Sequence, residues 1–280
     1  MNLTDQVVDS FAGAKDERFR EIMTSLVRHL HGFIDDVRLT EEEWAAAVDF
    51  LARTGQKCDD KRQEFILLSD VLGASMAVIN QNYPTGGEAT ESTVLGPFFV
   101  EDAPEFALGD DISAGAPGTP CYIEGSVRNT AGEPISGALL EVWQSDDEGH
   151  YDVQYADLDA PRGRGRLRAD AEGRYAFWTV HPRAYPVPDD GPAGEMLAAG
   201  GRGAMRPAHV HFKVSAPGHR TLVTHVFTAD STHLDDDAVF GVKQSLIIDF
   251  ARHEPGRAPD GRELDAPFHT ARFDIVLAPE

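Results

Sequence analysis

His209 and His211 stand two apart in the run Arg206-Pro207-Ala208-His209-Val210-His211-Phe212. Strand alternation puts their imidazoles on one face while Val210 points to the other. Same-face neighbours on a strand lie about 6.5 to 7 Å apart at Cα, a span that two imidazole nitrogens can close around one ion at about 2 Å each. The chemistry the pair offers is metal binding. A His-x-His pair alone also fits ferrous and zinc sites in double-sheet barrels, or two half-exposed strand histidines, so its company has to decide.

That company is tyrosine. Six tyrosines occur in 280 residues, and two of the runs that carry them, Gly149-His150-Tyr151-Asp152-Val153-Gln154-Tyr155 and Ala184-Tyr185-Pro186-Val187-Pro188-Asp189-Asp190-Gly191-Pro192, are rich in turn formers. A tyrosine on such a loop is not there to fill a pleated core, and a hard ferric ion favours phenolate oxygen alongside imidazole. Two tyrosines and two histidines on ferric iron is the expectation, with Tyr151 and Tyr155 both open for the first phenolate. Tyr175, in the alternating run Arg174-Tyr175-Ala176-Phe177-Trp178, reads as a packed cross-strand aromatic.

Six segments taken together resemble the intradiol ring-cleavage dioxygenases: ESTVLGPFF at 91–99, GHYDVQY at 149–155, YPVPDDGPAG at 185–194, RPAHVHF at 206–212, THVF at 224–227 and DDDAVFGVK at 235–243. The resemblance runs from about residue 5 to the C-terminus, and the last two segments make it most similar to the hydroxyquinol 1,2-dioxygenase branch. It implies one Fe(III) per subunit, held by Tyr151, Tyr185, His209 and His211. It also implies that Tyr185 leaves the metal and acts as a base when a diol binds. Arg206 is the candidate for electrostatic assistance, a fixed cation beside the ligand strand; a salt bridge to the acidic pair at 189–190 is the competing use of that residue. His225 is expected just outside the ligand set, near substrate or iron. By resemblance the pocket walls are Leu67, Asp70, Val94, Leu95, Gly96, Pro97, Phe98, Val187, Pro188 and Val239. Asp70 is the unusual member, because a carboxylate among apolar walls is costly unless something donates to it. The third hydroxyl of benzene-1,2,4-triol is such a donor.

These residues need elements to position them. Val7, Val8 and Phe11, then Phe19, Ile22, Met23, Leu26 and Leu30, recur at helical spacing, and Thr40 ahead of Glu41, Glu42 and Glu43 looks like an N-cap with an acidic first turn. A third amphipathic segment is expected from about Lys61 to Asn82, ended by Pro84. From Cys121 the period becomes two, with strands expected at 122–128, 138–144, 175–180, 208–214, 222–228, 246–250 and 272–277. Short strands separated by Gly/Pro loops point to an antiparallel β-sandwich. The long connections 146–173 and 181–206 carry Tyr151 and Tyr185, which makes them candidates for function. The expected class is therefore mainly β with a helical N-terminal region: residues 1–90 a helical dimerisation and linker region, and 91–280 the catalytic sandwich. The resemblance implies a homodimer through the N-terminal helices.

Composition sets the remaining bounds. With 47 acidic against 25 basic residues the net charge is −22, which argues against nucleic acid and anionic membranes as partners and favours a neutral small molecule. That fits a small aromatic diol or triol with O2. No run of 18 apolar residues occurs, and the first 19 residues lack a basic and an apolar region, so neither a membrane span nor a signal peptide is expected. Cys58 and Cys121 have no partner motif, and a cytoplasmic location is expected. Three other readings stay open on sequence: a catechol or chlorocatechol 1,2-dioxygenase, a ferrous jelly-roll dioxygenase using the two histidines with a carboxylate, and a non-enzymatic sandwich.

Overall fold

The computed structural model of the chain describes residues 2–59, 62–84 and 87–280. Residues up to Gly55 form one compact unit and those from Gln56 a second. The first unit is helical: α1 (Leu3–Ser10), α2 (Glu17–Val37) and α3 (Glu41–Gln56). The Asp16 carboxylate accepts from the amides of Arg18 and Phe19 at 2.8 and 3.2 Å, satisfying two donors that the start of α2 leaves free. At α3 the cap expected at Thr40 forms reciprocally, Glu43 N–H donating to the Thr40 hydroxyl and Thr40 N–H to the Glu43 carboxylate. Phe19, Ile22, Leu26, Leu30, Phe33 and Val37 repeat at helical spacing along α2. Each is about half exposed, as are Trp44, Val48 and Leu51 on α3.

In the second unit the helix expected from about Lys61 to Asn82 is two helices, α4 (Glu64–Val71) and α5 (Ala74–Asn82). Gly73 lies between them at φ +72, in the left-handed region that ends a helix. Lys61 itself lies outside the described residues. Both helices group with the strands, so the helical stretch 1–90 is divided by compactness at residue 55.

The strands are β1 (Pro120–Asn129), β2 (Leu139–Gln144), β3 (Arg164–Arg168), β4 (Arg174–Val180), β5 (Tyr185–Pro186), β6 (Met205–Arg206), β7 (His209–Ser215), β8 (Leu222–Thr228), β9 (Ile247–Ile248), β10 (Phe250–His253), β11 (Gly256–Arg257), β12 (Glu263–Leu264), β13 (Phe268–Arg272) and β14 (Ile275–Leu277). A short helix, α6 (Pro192–Ala199), separates β5 from β6. One sheet runs β3-β2-β7-β8-β9; the other is built on β1, which pairs with β13, β14 and β4. Val210, Phe212 and Val214 of β7 and Ile123, Val127 and Phe177 of the second sheet are fully buried in one shared core.

The β-sandwich is the expected one, but its strands are not all antiparallel. β1 pairs in parallel with β13 and then with β14, and β8 with β9. The long chain excursion between β1 and β13 lets the later strands re-enter in the same direction. β1 changes partner at Gly125, where a side chain would collide with the Phe273 carbonyl. The connection 146–173 holds a strand, β3, and 181–206 holds α6. Among the described residues no helix is long and apolar enough to cross a membrane.

Candidate metal centre and active site

Because Val210, Phe212 and Val214 fill the core, alternation turns His209 and His211 to the other face of the sheet. Loops cover that face, and both histidines are buried, at 0% and 1% exposure. Pairing puts Trp143 of β2 and His225 of β8 on either side of His211. Trp143 stacks on the His211 ring at 4.6 Å and 16°, which fixes its plane. His209 Nδ1 donates to the Pro207 carbonyl at 2.6 Å, leaving the Nε2 lone pair facing inward.

The tyrosines reach the same point from two loops. Tyr151 ends the tight turn 146–150 and Tyr185 opens β5, and both are buried. The Tyr151 hydroxyl oxygen lies 2.9 Å from His211 Nε2, 3.4 Å from His209 Nε2 and 3.2 Å from the Tyr185 hydroxyl oxygen. Tyr185 is 3.4 Å from His209 Nε2, and the two Nε2 atoms are 3.1 Å apart. Donors about 2 Å from one ion stand roughly 2.8 to 3.3 Å from each other, so these four atoms have the spacing of a ligand set. Tyr155 is elsewhere, its hydroxyl donating to Asp146 at 2.7 Å.

Electrostatics agree with a cation at this point. Burial lowers His209 to about 3, with Arg206 adding to the effect, and burial followed by His209 lowers His211 well below the ordinary imidazole range. Both imidazoles are therefore neutral at physiological pH. Burial raises Tyr151 and Tyr185 as well, so without a cation both phenols keep their protons. Two inward imidazole lone pairs 3.1 Å apart repel, and a metal ion turns that repulsion into coordination while favouring phenolate over phenol. The cluster has the geometry and the donor chemistry suited to holding a metal ion.

His225 joins it at longer range. Its ring contacts those of His211 and His209 at 4.1 and 4.8 Å, and ligand atoms of the three histidines lie within 4.8 Å of one another. Nδ1 is held by the Thr93 hydroxyl at 2.9 Å, and Nε2 is buried without a partner. No carboxylate oxygen joins this group among the described residues, which removes the carboxylate that the ferrous jelly-roll reading needs.

Arg206 sits opposite Tyr185 across the β5–β6 ribbon. Its Nη1 is 3.3 Å from His209 Nε2, and its salt bridge runs to Asp237, not to the acids at 189–190. Asp190 is instead held by Lys57 and Arg62.

A cavity of about 1170 Å³ opens beside the cluster, and Leu67, Pro97, Phe98, Val187 and Pro188 are among the residues that line it. Phe98 also stacks on Tyr151 at 4.4 Å, between cavity and donors. Asp70, Val94, Val239 and Arg206 are buried and are not part of that lining. Leu95 is also outside it, turned outward at 40% exposure. Gly96, at φ +77, backs onto His211, where an added Cβ would lie 3.2 Å from Cε1. Three residues that matter for positioning went unnoticed in the sequence. Asp237 is one of three consecutive aspartates, Thr93 sits in a polar run, and Arg164 falls in a stretch read as loop.

Comparison with known proteins identifies the family. Residues 94–279 match the family described as Dioxygenase, and residues 16–90 the one described as Catechol dioxygenase N terminus. The hydroxyquinol 1,2-dioxygenase of Rhodococcus opacus is 57% identical, over 99% of this chain and 93% of that protein. The 6-chlorohydroxyquinol 1,2-dioxygenase of Cupriavidus pinatubonensis is 54% identical, over 99% of this chain and 97% of that one. The solved hydroxyquinol 1,2-dioxygenase of Pseudomonas putida superposes with a TM-score of 0.92 at 47% identity, covering 99% of this chain and 98% of that structure. The chain belongs to the intradiol ring-cleavage dioxygenases.

Proposed function

We propose that the chain is a hydroxyquinol 1,2-dioxygenase. It opens benzene-1,2,4-triol between its two adjacent hydroxylated carbons, adding both atoms of O2 to give 3-hydroxy-cis,cis-muconate, the tautomer of maleylacetate. The observation that carries the reading is the convergence of two phenol oxygens and two imidazole nitrogens at 2.9 to 3.4 Å, a donor set suited to one Fe(III) per subunit. Relatives named hydroxyquinol 1,2-dioxygenase support the substrate.

Tyr151, Tyr185, His209 and His211 would hold the ferric iron, which would supply Lewis acidity toward the oxygens of a diol. The protein's residues do the rest. Tyr151, His209 and His211 hold their positions, and Tyr185, a phenolate while it serves as a ligand, takes a substrate proton on its oxygen. Arg206 is buried with a fixed charge beside His209, where it stabilises negative charge that develops on the ring. Leu67, Phe98, Val187 and Pro188 exclude water from the ring. Asp70 lies one turn along α4 from Leu67 and recognises the third hydroxyl; Pro97 completes the wall, Val94 and Val239 pack behind it in one buried apolar cluster with Leu67 and Val187, and Gly96 backs onto His211.

The reading extends to a homodimer formed through the half-exposed apolar rows of α2 and α3, to residues 1–90 as the dimerisation and linker region ahead of a catalytic region 91–280, and to a cytoplasmic location. Catechol or chlorocatechol 1,2-dioxygenase is the second reading, favoured by structural likeness to the catechol 1,2-dioxygenase of Pseudomonas arvilla, with a TM-score of 0.83 at 30% identity. Oxygen uptake with triol, catechol and chlorocatechol, together with iron content and the red-brown colour of ferric tyrosinate, tests the catalytic reading. A colourless, iron-free protein without uptake on any of the three overturns it.

A further inference from the structure

The geometry points to Arg164 as the positioning residue that locks Tyr151 and Phe98 into one unit. Arg164 lies on β3 with a side chain only 3% exposed, and its partner Asp152 directly follows Tyr151. The guanidinium uses three different groups. Nε donates to Asp152 Oδ2 at 2.7 Å, Nη2 donates to Asp152 Oδ1, and Nη1 donates to the Phe98 carbonyl at 3.0 Å.

One side chain therefore ties together two segments distant in sequence, and their aromatic rings stack on each other at 4.4 Å and 24°. Phe98 is at once a wall of the cavity and the cover of Tyr151. Asp152 Oδ2 also accepts from Arg162 N–H, and Tyr151 N–H donates to Gln154 Oε1 at 2.8 Å, so two further hydrogen bonds hold the backbone at Tyr151 and Asp152. A buried ion pair is a weak stabiliser compared with apolar residues of the same volume. What this one supplies is direction: a rigid planar fork grips a carboxylate through two parallel bonds and holds a carbonyl at a fixed angle to it, whereas the freely rotating donors of an ammonium fix no such geometry. By this route the same arginine sets the angle of a metal donor and the position of a substrate contact.

The inference rests on Tyr151 being a metal ligand, and the test separates the two claims. Arg164→Lys, Asp152→Asn and Tyr151→Phe are compared with the wild-type holoenzyme. The readouts are the tyrosinate charge-transfer band, the rate of iron release to a chelator, KM for the triol, and the melting temperature of the apo form as a check on folding. Removing an outer partner of a metal ligand costs about 10-fold to 100-fold in metal affinity or activity. Arg164→Lys and Asp152→Asn should therefore shift the band, speed iron release about 10-fold or more, and raise KM. If Arg164→Lys does not fold, Asp152→Asn, which keeps the side chain's size, decides between the outcomes. The brace is overturned if the band and iron release stay within about twofold of wild type while Tyr151→Phe bleaches the protein. A raised KM with an unmoved band overturns it too, because it must act on both residues. An unchanged Tyr151→Phe protein overturns the ligand assignment, and the brace with it.

Discussion

Arg206 is clamped by Asp237, Nε to Oδ1 at 3.1 Å and Nη2 to Oδ2 at 3.4 Å, with both side chains almost completely buried. Burial alone would raise the Asp237 carboxyl, and the arginine outweighs it, so the group is held below its ordinary range. The amides of Val239 and Gly241 donate to the same carboxylate, which fixes it to the 237–241 turn. The guanidinium is thereby aimed with Nη1 toward His209.

Breaking such a pair leaves a buried charge alone and costs about 3 to 5 kcal/mol. Asp237→Leu should lose that much stability in chemical denaturation, and adding Arg206→Met should recover most of it. Activity should stay lost in the double variant, because the cation is gone. A double variant as unstable as Asp237→Leu would mean that the clamp is not the source of the loss.

Tyr151 and Tyr185 are expected to differ in role although both are buried donors of one cluster. In the proposed ligand set Tyr151 stays in place throughout, so with Tyr151→Phe resting colour and the colour of the anaerobic substrate complex should both fall. Tyr185→Phe removes a ligand that leaves when substrate binds. It should cripple turnover while changing the spectrum of the anaerobic substrate complex less. Equal spectral loss in that complex for the two variants refutes the division.

Much of this was readable in the chain because one periodicity carried it. Val210, Phe212 and Val214 alternate with His209 and His211, so the core face and the donor face of β7 follow from the same seven residues. β3 escaped because only Gly165 and Leu167 point to the core in Arg164-Gly165-Arg166-Leu167-Arg168. Gly165 there makes room for Phe106 and Ile112, a requirement set by residues far away in sequence. The break at Gly73 was hidden by apolar residues on both sides that continue the helical period. Parallel pairing of β1 with β13 and β14, and the choice of Asp237 over its two neighbours, depend on contacts between segments more than 30 residues apart, which local pattern does not encode.

Asp70 gives a pH prediction with a definite sign. Burial raises its carboxyl, the Ser75 hydroxyl and Arg206 pull it down, and Asp237 pushes it up; the net shift is upward. Between the unfolded value, about 3.9, and the raised folded value, the folded state binds more protons, so stability falls as pH rises through that window. Asp70→Asn abolishes the loss. Its melting temperature should exceed that of wild type at pH 7, and the two should converge as pH drops below the window. An asparagine variant less stable at pH 7 would show the carboxylate to be a net stabilising partner of Arg206.

The apolar row Phe19, Ile22, Leu26, Leu30, Phe33 and Val37 should be covered in solution, since each is about half exposed in the single chain. Light scattering at micromolar concentration should give twice the 30.5 kDa chain mass. Leu26→Glu with Leu30→Glu should shift the population toward monomer. A monodisperse wild-type monomer argues against the interface.

Asp70 should also choose the triol over the plain diol. It sits three residues from Leu67 on α4, and Leu67 lines the cavity, so both side chains belong to one helix face. A hydrogen bond to a charged group is worth about 1.5 to 3 kcal/mol, and each 1.36 kcal/mol corresponds to about tenfold in rate. Asp70→Ala should therefore cost about 10-fold to 100-fold in kcat/KM for benzene-1,2,4-triol, assayed where the carboxyl is ionised. Catechol has no hydroxyl to donate at that position. Its kcat/KM should change little, or improve as a desolvated carboxylate is removed. Measuring both substrates on both proteins decides the matter. Parallel losses make Asp70 a structural residue, whereas a selective loss on the triol identifies it as the group that reads the third hydroxyl.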